Sequence, residues 1–369
     1  MIIYLFIILI AASLAYIATG TTRHKFVFCA FSFMALFIPS CLAGCRDLTV
    51  GYDVLFYGYD IYRNAHFSSS FAELVEREGT TELFYLLINY IAVQLCDNVH
   101  FVLGFISFVT LLFLYLACYN MRRKIPIWLL YASFMLVFFV SSMNLLRQSL
   151  AVTVCFYAYS ILKKRGMDYL FFGASVIAVT SHNTAFFAIT MLLVYHFMSN
   201  RTDSEFSIFF RVFIIAVIVI WGSMSQILFV LSALLEKNYI IYLDSTAINA
   251  GWATTIVPFT YILGISIFII LCRWGKKKGI IPIRDMYESK CNIAVFILCI
   301  IGGAVFTGSM LRLSYYFFML IICETCCIIN HPKITFGQKV LYRVMFFLYC
   351  IILFYRTKGI EYSSSILHI

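Results

Sequence analysis

The polar positions of this chain fall in short clusters, and the apolar stretches between them are too long for a soluble fold. A helix needs about 20 apolar residues to cross the hydrocarbon core of a bilayer. Such stretches lie at about 1–19, 26–43, 101–119, 127–143, 145–162, 167–181, 184–198, 208–235, 253–272, 291–309, 313–330 and 339–355. They are continuous in Phe, Leu and Ile, whereas a membrane barrel would alternate apolar and polar residues in short strands. The pattern predicts an all-α, polytopic transmembrane helical bundle of about twelve spans, forming one integral domain over residues 1–369. The opening MIIYLFIILI has neither a basic n-region nor a small-residue cleavage site, so it reads as the first span and not a removable signal peptide.

Charge orients the bundle. Basic clusters at Arg122–Arg123–Lys124, Lys163–Lys164–Arg165 and Arg273 with Lys276–Lys277–Lys278 belong on the cytoplasmic side. An even number of spans must then separate the second cluster from the third. That requires 167–198 to be two helices turning at His182–Asn183–Thr184, not one long helix. Arg23 and Lys25 place the first loop inside and the polar segment 44–82 outside. Residues 83–95 (LFYLLINYIAVQL) are too short to span and read as an interfacial or re-entrant helix. Both termini are expected outside. Segment 44–100 is then an outer loop region with a short helix, and 236–252 a second outer loop.

Composition agrees and sharpens the class. Apolar residues make up 63% and charged residues 12%, against roughly 25% charged in a soluble domain. Mean hydropathy is +0.94. The net charge of +10 is a topology signal in such a chain, not a nucleic-acid signal, and no nucleic-acid partner is expected. There is no P-loop, GxGxxG, HExxH or His/Asp cluster, so no cofactor and no metal is expected. The cytoplasmic loops are short, which leaves the outer face for any chemistry. Thirteen cysteines are scattered, and Cys323, Cys326 and Cys327 on an apolar stretch read as small buried residues. Cys41 and Cys45 lie close enough in sequence to pair, but nothing requires it.

The informative charges are those left outside. Arg147 sits in SSMNLLRQSLA, where one span ends and the next begins; its planar fork suits a phosphate or carboxylate, or it snorkels to a headgroup. Asn144 and Gln148 are four residues apart and are expected on one helical face. Arg312, in SMLRLSYYF, repeats the arrangement. His182 at the outer turn has the chemistry of a base or a donor, and equally that of a polar turn residue. Arg46, Asp47, Asp53, Tyr57, Asp60 and Tyr62 mix carboxylates with rings, which suits a sugar, or forms an ordinary solvated loop. Glu324 stands within a span, about 18 Å deeper than Arg312 at 1.5 Å per residue, and reads as a hydrogen-bonded packing residue.

From about Arg46 to Phe317 the chain resembles the EpsG family of bacterial exopolysaccharide proteins, Wzy-like polysaccharide polymerases. The resemblance lies in Arg46 with Gly51, Asp53 and Tyr57, in Glu82 with Phe84 and Tyr85, and in LRQSLA (Arg147, Gln148, Ala151). It continues in SHNTAFF with His182 and in Arg312 with Tyr315, Tyr316 and Phe317. It implies a metal-independent glycosyltransferase of the bacterial cytoplasmic membrane. The substrates implied are oligosaccharide repeat units on undecaprenyl diphosphate, and a chain-length regulator is among the partners such a protein can have. In that reading Arg147 and Arg312, assisted by Arg46, hold the diphosphate. His182, or alternatively Asp53, is the base. Tyr57, Glu82, Gln148, Tyr315 and Tyr316 contact sugar or lipid. The competing readings are a lipid-linked oligosaccharide flippase, which needs a hydrophilic path and usually repeated halves, and an O-antigen ligase-type transferase.

Overall fold

The computed structural model describes residues 1–198, 264–355 and 361–368, less 52, 81, 265, 276, 280–282, 306 and 307, together with 208, 212 and 215. The spans expected at 208–235 and over most of 253–272, and the loop at 236–252, lie outside the described residues. Those residues form two compact units, Met1–Ile189 with Ile329–Ile369, and Thr190–Ile328.

Among the described residues every regular element is helical. The first unit contains α1 (Ile2–Gly20), α2 (Lys25–Cys45), α3 (Asp60–His66), α4 (Phe71–Glu78), α5 (Leu83–Leu95), α6 (Val99–Met121), α7 (Ile127–Asn144), α8 (Leu146–Arg165) and α9 (Tyr169–Ser181). Phe336–Tyr355 also belongs to it, and the division between the units falls within α10 (Ala185–Met198). Six described helices are long and apolar enough to cross a membrane: α1, α2, α6, α7, Arg312–Ile329 and Phe336–Tyr355. The chain is a multi-pass membrane protein. α8 has the length but carries Arg147 near one end and Lys163–Arg165 at the other. The predicted break at His182 is present. It leaves α9 and α10 with 13 and 14 residues, about 20 Å each at 1.5 Å per residue, short of a full crossing.

Local chemistry sets the boundaries. Asn98 caps α6, accepting hydrogen bonds from His100 N at 2.9 Å and Phe101 N at 3.3 Å. Asp168 caps α9 in the same way, accepting from Phe171 N at 3.0 Å. α8 ends at Gly166, whose φ of +82° a side chain would resist. The polar segment before α5 is folded rather than loose: a π-helical turn (Val54–Tyr59) leads into α3, and Ser70 caps α4.

α7 is enclosed along most of its length. α1 packs on α2 and α7, α2 on α6, α6 on α8, and α8 on α9. The α2–α6 crossing depends on small residues. A Cβ on Gly44 would lie 2.7 Å from His100 O and 3.1 Å from Gly104 Cα, the close backbone approach common between membrane helices. Polar pairs add register: Ser32 Oγ with Tyr115 Oη at 2.7 Å, and Tyr131 Oη donating to Ala35 O at 2.9 Å.

The first unit has two chemically distinct ends. At one end Asn120 donates to Ser160 Oγ and Lys164 donates to Asn120 Oδ1, so the 122–124 and 163–165 clusters share that end. Asn330 reaches Lys124 O there as well. At the other end the rings of Tyr4 and Tyr362 meet edge to face at 5.5 Å. Tyr362 Oη also donates to Leu42 O. Tyr4 and Tyr362 therefore lie beside the start of the 44–82 segment.

In the second unit, Ile283–Val305 and Gly308–Ile329 pack through Phe296 and Phe318, stacked at 5.3 Å. Glu324 is held by Ser289 Oγ and Asn292 Nδ2, each at 2.7 Å. That is the packing and hydrogen-bonding role expected of it.

Candidate functional site

Three residues far apart in the sequence meet at one carboxylate. Glu82 stands at the N-cap of α5, and its side chain makes no capping bond. It reaches across instead. Arg147 Nη1 donates to Glu82 Oε2 at 2.6 Å, and His182 Nδ1 meets Glu82 Oε1 at 2.5 Å. Arg147 lies in the first turn of α8 and His182 at the C-cap of α9. α5 and α8 both pack on α9, which brings the three together.

The pairing answers a local conflict. A cation in the first turn of a helix opposes the helix dipole, and Arg147 is largely buried. Glu82, with a side chain 5% exposed, supplies the compensating charge. Burial pushes the Glu82 carboxyl up, but His182 and Arg147 together outweigh it and hold it below the usual carboxylate range. An ionised Glu82 accepts from His182 Nδ1–H, and in the neutral imidazole the lone pair then lies on Nε2. Nε2 makes no hydrogen bond within the described residues.

The 44–82 segment packs against this group of residues. Gly51, at φ +101°, lies where a Cβ would stand 3.0 Å from Met143 O and 3.2 Å from Asn144 Cα. Asp53 N donates to Asn144 Oδ1 at 3.4 Å. The π turn then lays the Tyr57 ring over Arg147, with Cζ 3.7 Å from the ring centroid, a cation–π contact. Asn144 and Gln148 do not share a helical face as expected, because the chain breaks at Leu145 (φ −101°, ψ 63°) between α7 and α8. Gln148 is buried in α8 and Asp53 is buried beside α7.

Arg46 presents a different picture. It is 1% exposed, and none of its three side-chain nitrogens has a hydrogen-bond partner among the described residues. Burial pushes its pKa down to about 10, with Tyr4, Tyr85 and Tyr362 acting the other way. Tyr85 links the two regions electrostatically: burial raises its phenol, while Arg147, Glu82 and Asp53 all act on it. Arg312, Tyr315 and Tyr316 lie on Gly308–Ile329 in the second unit, Arg312 exposed and Tyr316 buried. All thirteen cysteines, Cys41 and Cys45 included, are free thiols.

The family model of the EpsG family matches residues 25–367, nearly the whole chain. The chain belongs to the EpsG family. This is a family of Wzy-like polysaccharide polymerases, so this EpsG-family protein is a membrane protein of the polysaccharide polymerase type. No curated protein and no solved structure matches it.

Glu82 is the residue whose role the sequence understated. Its place at the head of the short helix is visible in the sequence, where it reads as a sugar contact. Its partners lie 65 and 100 residues away, and no local pattern announces them. Both of its carboxylate oxygens are engaged, one by Arg147 and one by His182. Tyr57 likewise spends one face on Arg147.

Proposed function

We propose that this EpsG-family protein polymerises undecaprenyl-diphosphate-linked repeat units at the outer face of the bacterial cytoplasmic membrane, with His182 as general base. The observation that carries the reading is the bridging of Arg147 and His182 by Glu82. One carboxylate orients a base and sets a cation beside it, as in the His–Asp pairs of acyl-transfer enzymes.

In the proposed step, His182 Nε2 takes the proton from the acceptor sugar hydroxyl. The hydroxyl oxygen attacks the anomeric carbon of the donor, and the bond from that carbon to the diphosphate oxygen breaks. The lipid diphosphate departs with the electron pair, and Arg147 meets its developing charge. Electrostatic stabilisation of this kind often contributes more to catalysis than any other single effect. Arg312 is the second proposed diphosphate contact. Asp53 is the alternative base, and Gln148, Tyr57, Tyr315 and Tyr316 are proposed substrate contacts. The side chains alone supply this chemistry.

Sidedness has support of its own. The site and the basic clusters lie near opposite ends of α8, 17 residues from Arg147 to Lys164 or about 26 Å at 1.5 Å per residue. By the positive-inside rule the site end faces out. Tyr4 and Tyr362 share the site end, which favours an even number of crossings between them, as in the twelve-span topology with both termini outside.

The test is elongation by purified protein given lipid-linked repeat units, read as a ladder on a gel. Wild-type protein should form polymer, and His182→Ala should lose it by about 10³-fold or more. Normal ladders from His182→Ala and Arg147→Ala would sink the reading. Transfer of a single preassembled chain without a ladder would favour a ligase, and movement of the lipid without transfer a flippase.

A further inference from the structure

The end of the first unit away from Glu82 gathers cations that the site does not use. Arg122, Arg123 and Lys124 follow α6, Lys164 and Arg165 close α8, and Lys339 and Arg343 belong to the Phe336–Tyr355 helix. The crowding is felt electrostatically. Burial lowers the Lys164 pKa, and Arg122, Arg165 and Arg123 lower it further. Burial lowers that of His331 as well, with Lys333 and Lys339 adding to it. Arg165 pairs with Asp168 at 3.8 Å. Arg122, Arg123, Lys124 and Arg343 form no ion pair among the described residues. The positive-inside rule accounts for the side these cations occupy, but not for how Arg343 is held.

Arg343 lies seven residues past Phe336, about 10 Å into its helix at 1.5 Å per residue. It is half-buried. Its Nη2 donates to Asn330 Oδ1 at 2.5 Å, and Asn330 Nδ2 donates to Lys124 O at 3.1 Å. Its Cζ stands 5.7 Å from the centroid of the Trp128 ring, within cation–π reach. These partners are neutral, and Nη1 makes no hydrogen bond within the described residues. The guanidinium is therefore fixed in place while its charge stays uncancelled. Trp128 also meets Tyr16 edge on at 5.7 Å and stacks with Phe347 at 6.2 Å. Trp and Tyr collect at the headgroup level of a bilayer, which sets Arg343 at the depth of lipid phosphates. Val340, Val344, Leu348 and Ile352 recur every four residues on the same helix and are all exposed. They form an apolar ridge beside Arg343.

We propose that Arg343 seats the phosphate of an anionic phospholipid of the cytoplasmic leaflet, with Lys124 beside it and an acyl chain along Val344, Leu348 and Ile352. Basic positions beside transmembrane helices on that side are where anionic headgroups bind. A guanidinium already held by Asn330 and Trp128 offers a charged hydrogen bond at little ordering cost. An acidic protein segment or a free phosphate would use the charge and leave the ridge bare. The lipid uses both. This seat lies at the opposite end of the unit from Glu82, and it does not rest on the polymerase reading.

The test is native mass spectrometry of full-length protein in a neutral detergent, titrated with phosphatidylglycerol or phosphatidylcholine. Wild-type protein should bind phosphatidylglycerol several-fold more tightly, and equal binding of the two lipids overturns the seat. Arg343→Gln should weaken phosphatidylglycerol binding by about tenfold or more, with Arg343→Lys between. Arg123→Gln removes one exposed charge from the same cluster and should cost no more than about fivefold. Equal losses from Arg343→Gln and Arg123→Gln would show diffuse attraction and overturn the seat. Added phosphatidylglycerol should raise the melting temperature of wild-type protein more than that of Arg343→Gln, and an equal rise again overturns it. Glycerol 3-phosphate should not displace the lipid. Displacement at matched concentration assigns a free phosphate instead. Arg343-dependent capture of a polyglutamate peptide without phosphatidylglycerol binding assigns an acidic protein segment, and either result overturns the lipid.

Discussion

Glu82 and Glu324 are both held by side-chain partners, and in opposite ways. Glu82 is bracketed by a guanidinium and an imidazole, two groups that carry or exchange a proton. Glu324 is bracketed by a hydroxyl and a carboxamide, two neutral donors that do neither. Both escape the cost of an unpaired buried acceptor. The first arrangement contains groups that can move a proton or concentrate charge for a substrate. A buried acid in a membrane helix is therefore not a functional site by itself, and its partners decide.

The largest expected effect comes from taking the first carboxylate away. Glu82→Ala strands Arg147 and releases His182. It should destabilise the protein by about 3–5 kcal/mol and lower elongation by roughly 10⁴-fold, read by thermal unfolding and the gel ladder. An equal loss from Glu324→Ala would erase the contrast.

Acid should reproduce part of this. The Glu82 carboxyl is depressed in the folded protein. Its stabilisation is fully present above the unfolded carboxylate value and is lost as pH falls through the lower folded value. Melting temperature and activity should both fall on that acid limb, and the limb should shrink in Glu82→Gln. An identical acid profile in Glu82→Gln would assign the titration to another group.

Arg147→Lys keeps the charge and loses the planar fork over Tyr57. About 1.5–3 kcal/mol of charged hydrogen bonding is at stake, a roughly tenfold to hundredfold fall in elongation. Full activity in this variant would reduce Arg147 to a counter-ion for Glu82. Glu324→Gln should show the smallest effect. One of its two accepted bonds is replaced by a donor facing a donor, costing about 1 kcal/mol, seen in melting temperature with the ladder unchanged.

Much of the fold is legible along the chain because its signals are local. Apolar length announces α1, α2, α6 and α7. Asn98, Asp168 and Gly166 mark ends through their own backbone chemistry, and the short α5 and the break at His182 follow from length and parity. The site is legible only as separate residues. Arg147, His182, Arg46 and Glu82 are each conspicuous as polar groups outside the apolar runs. The face expected to join Asn144 and Gln148 fails, because a backbone turn at Leu145 carries no distinctive residue.

The sequence by itself determined that this is a helical, multi-pass membrane protein of the EpsG family, with its basic clusters gathered apart from its site residues. These properties follow from hydrophobic length, charge position and motif order, which need no three-dimensional knowledge. Only the tertiary structure decided that Glu82 joins Arg147 to His182, that Tyr57 covers Arg147, and that Arg46 lies buried at the end of α2, where residues 362–365 bond to Leu42, Cys45 and Asp47. Those relations depend on which helices pack together. Packing is set by small-residue crossings such as Gly44 with Gly104 and by charge pairings such as Glu82 with Arg147, and both act across dozens of residues.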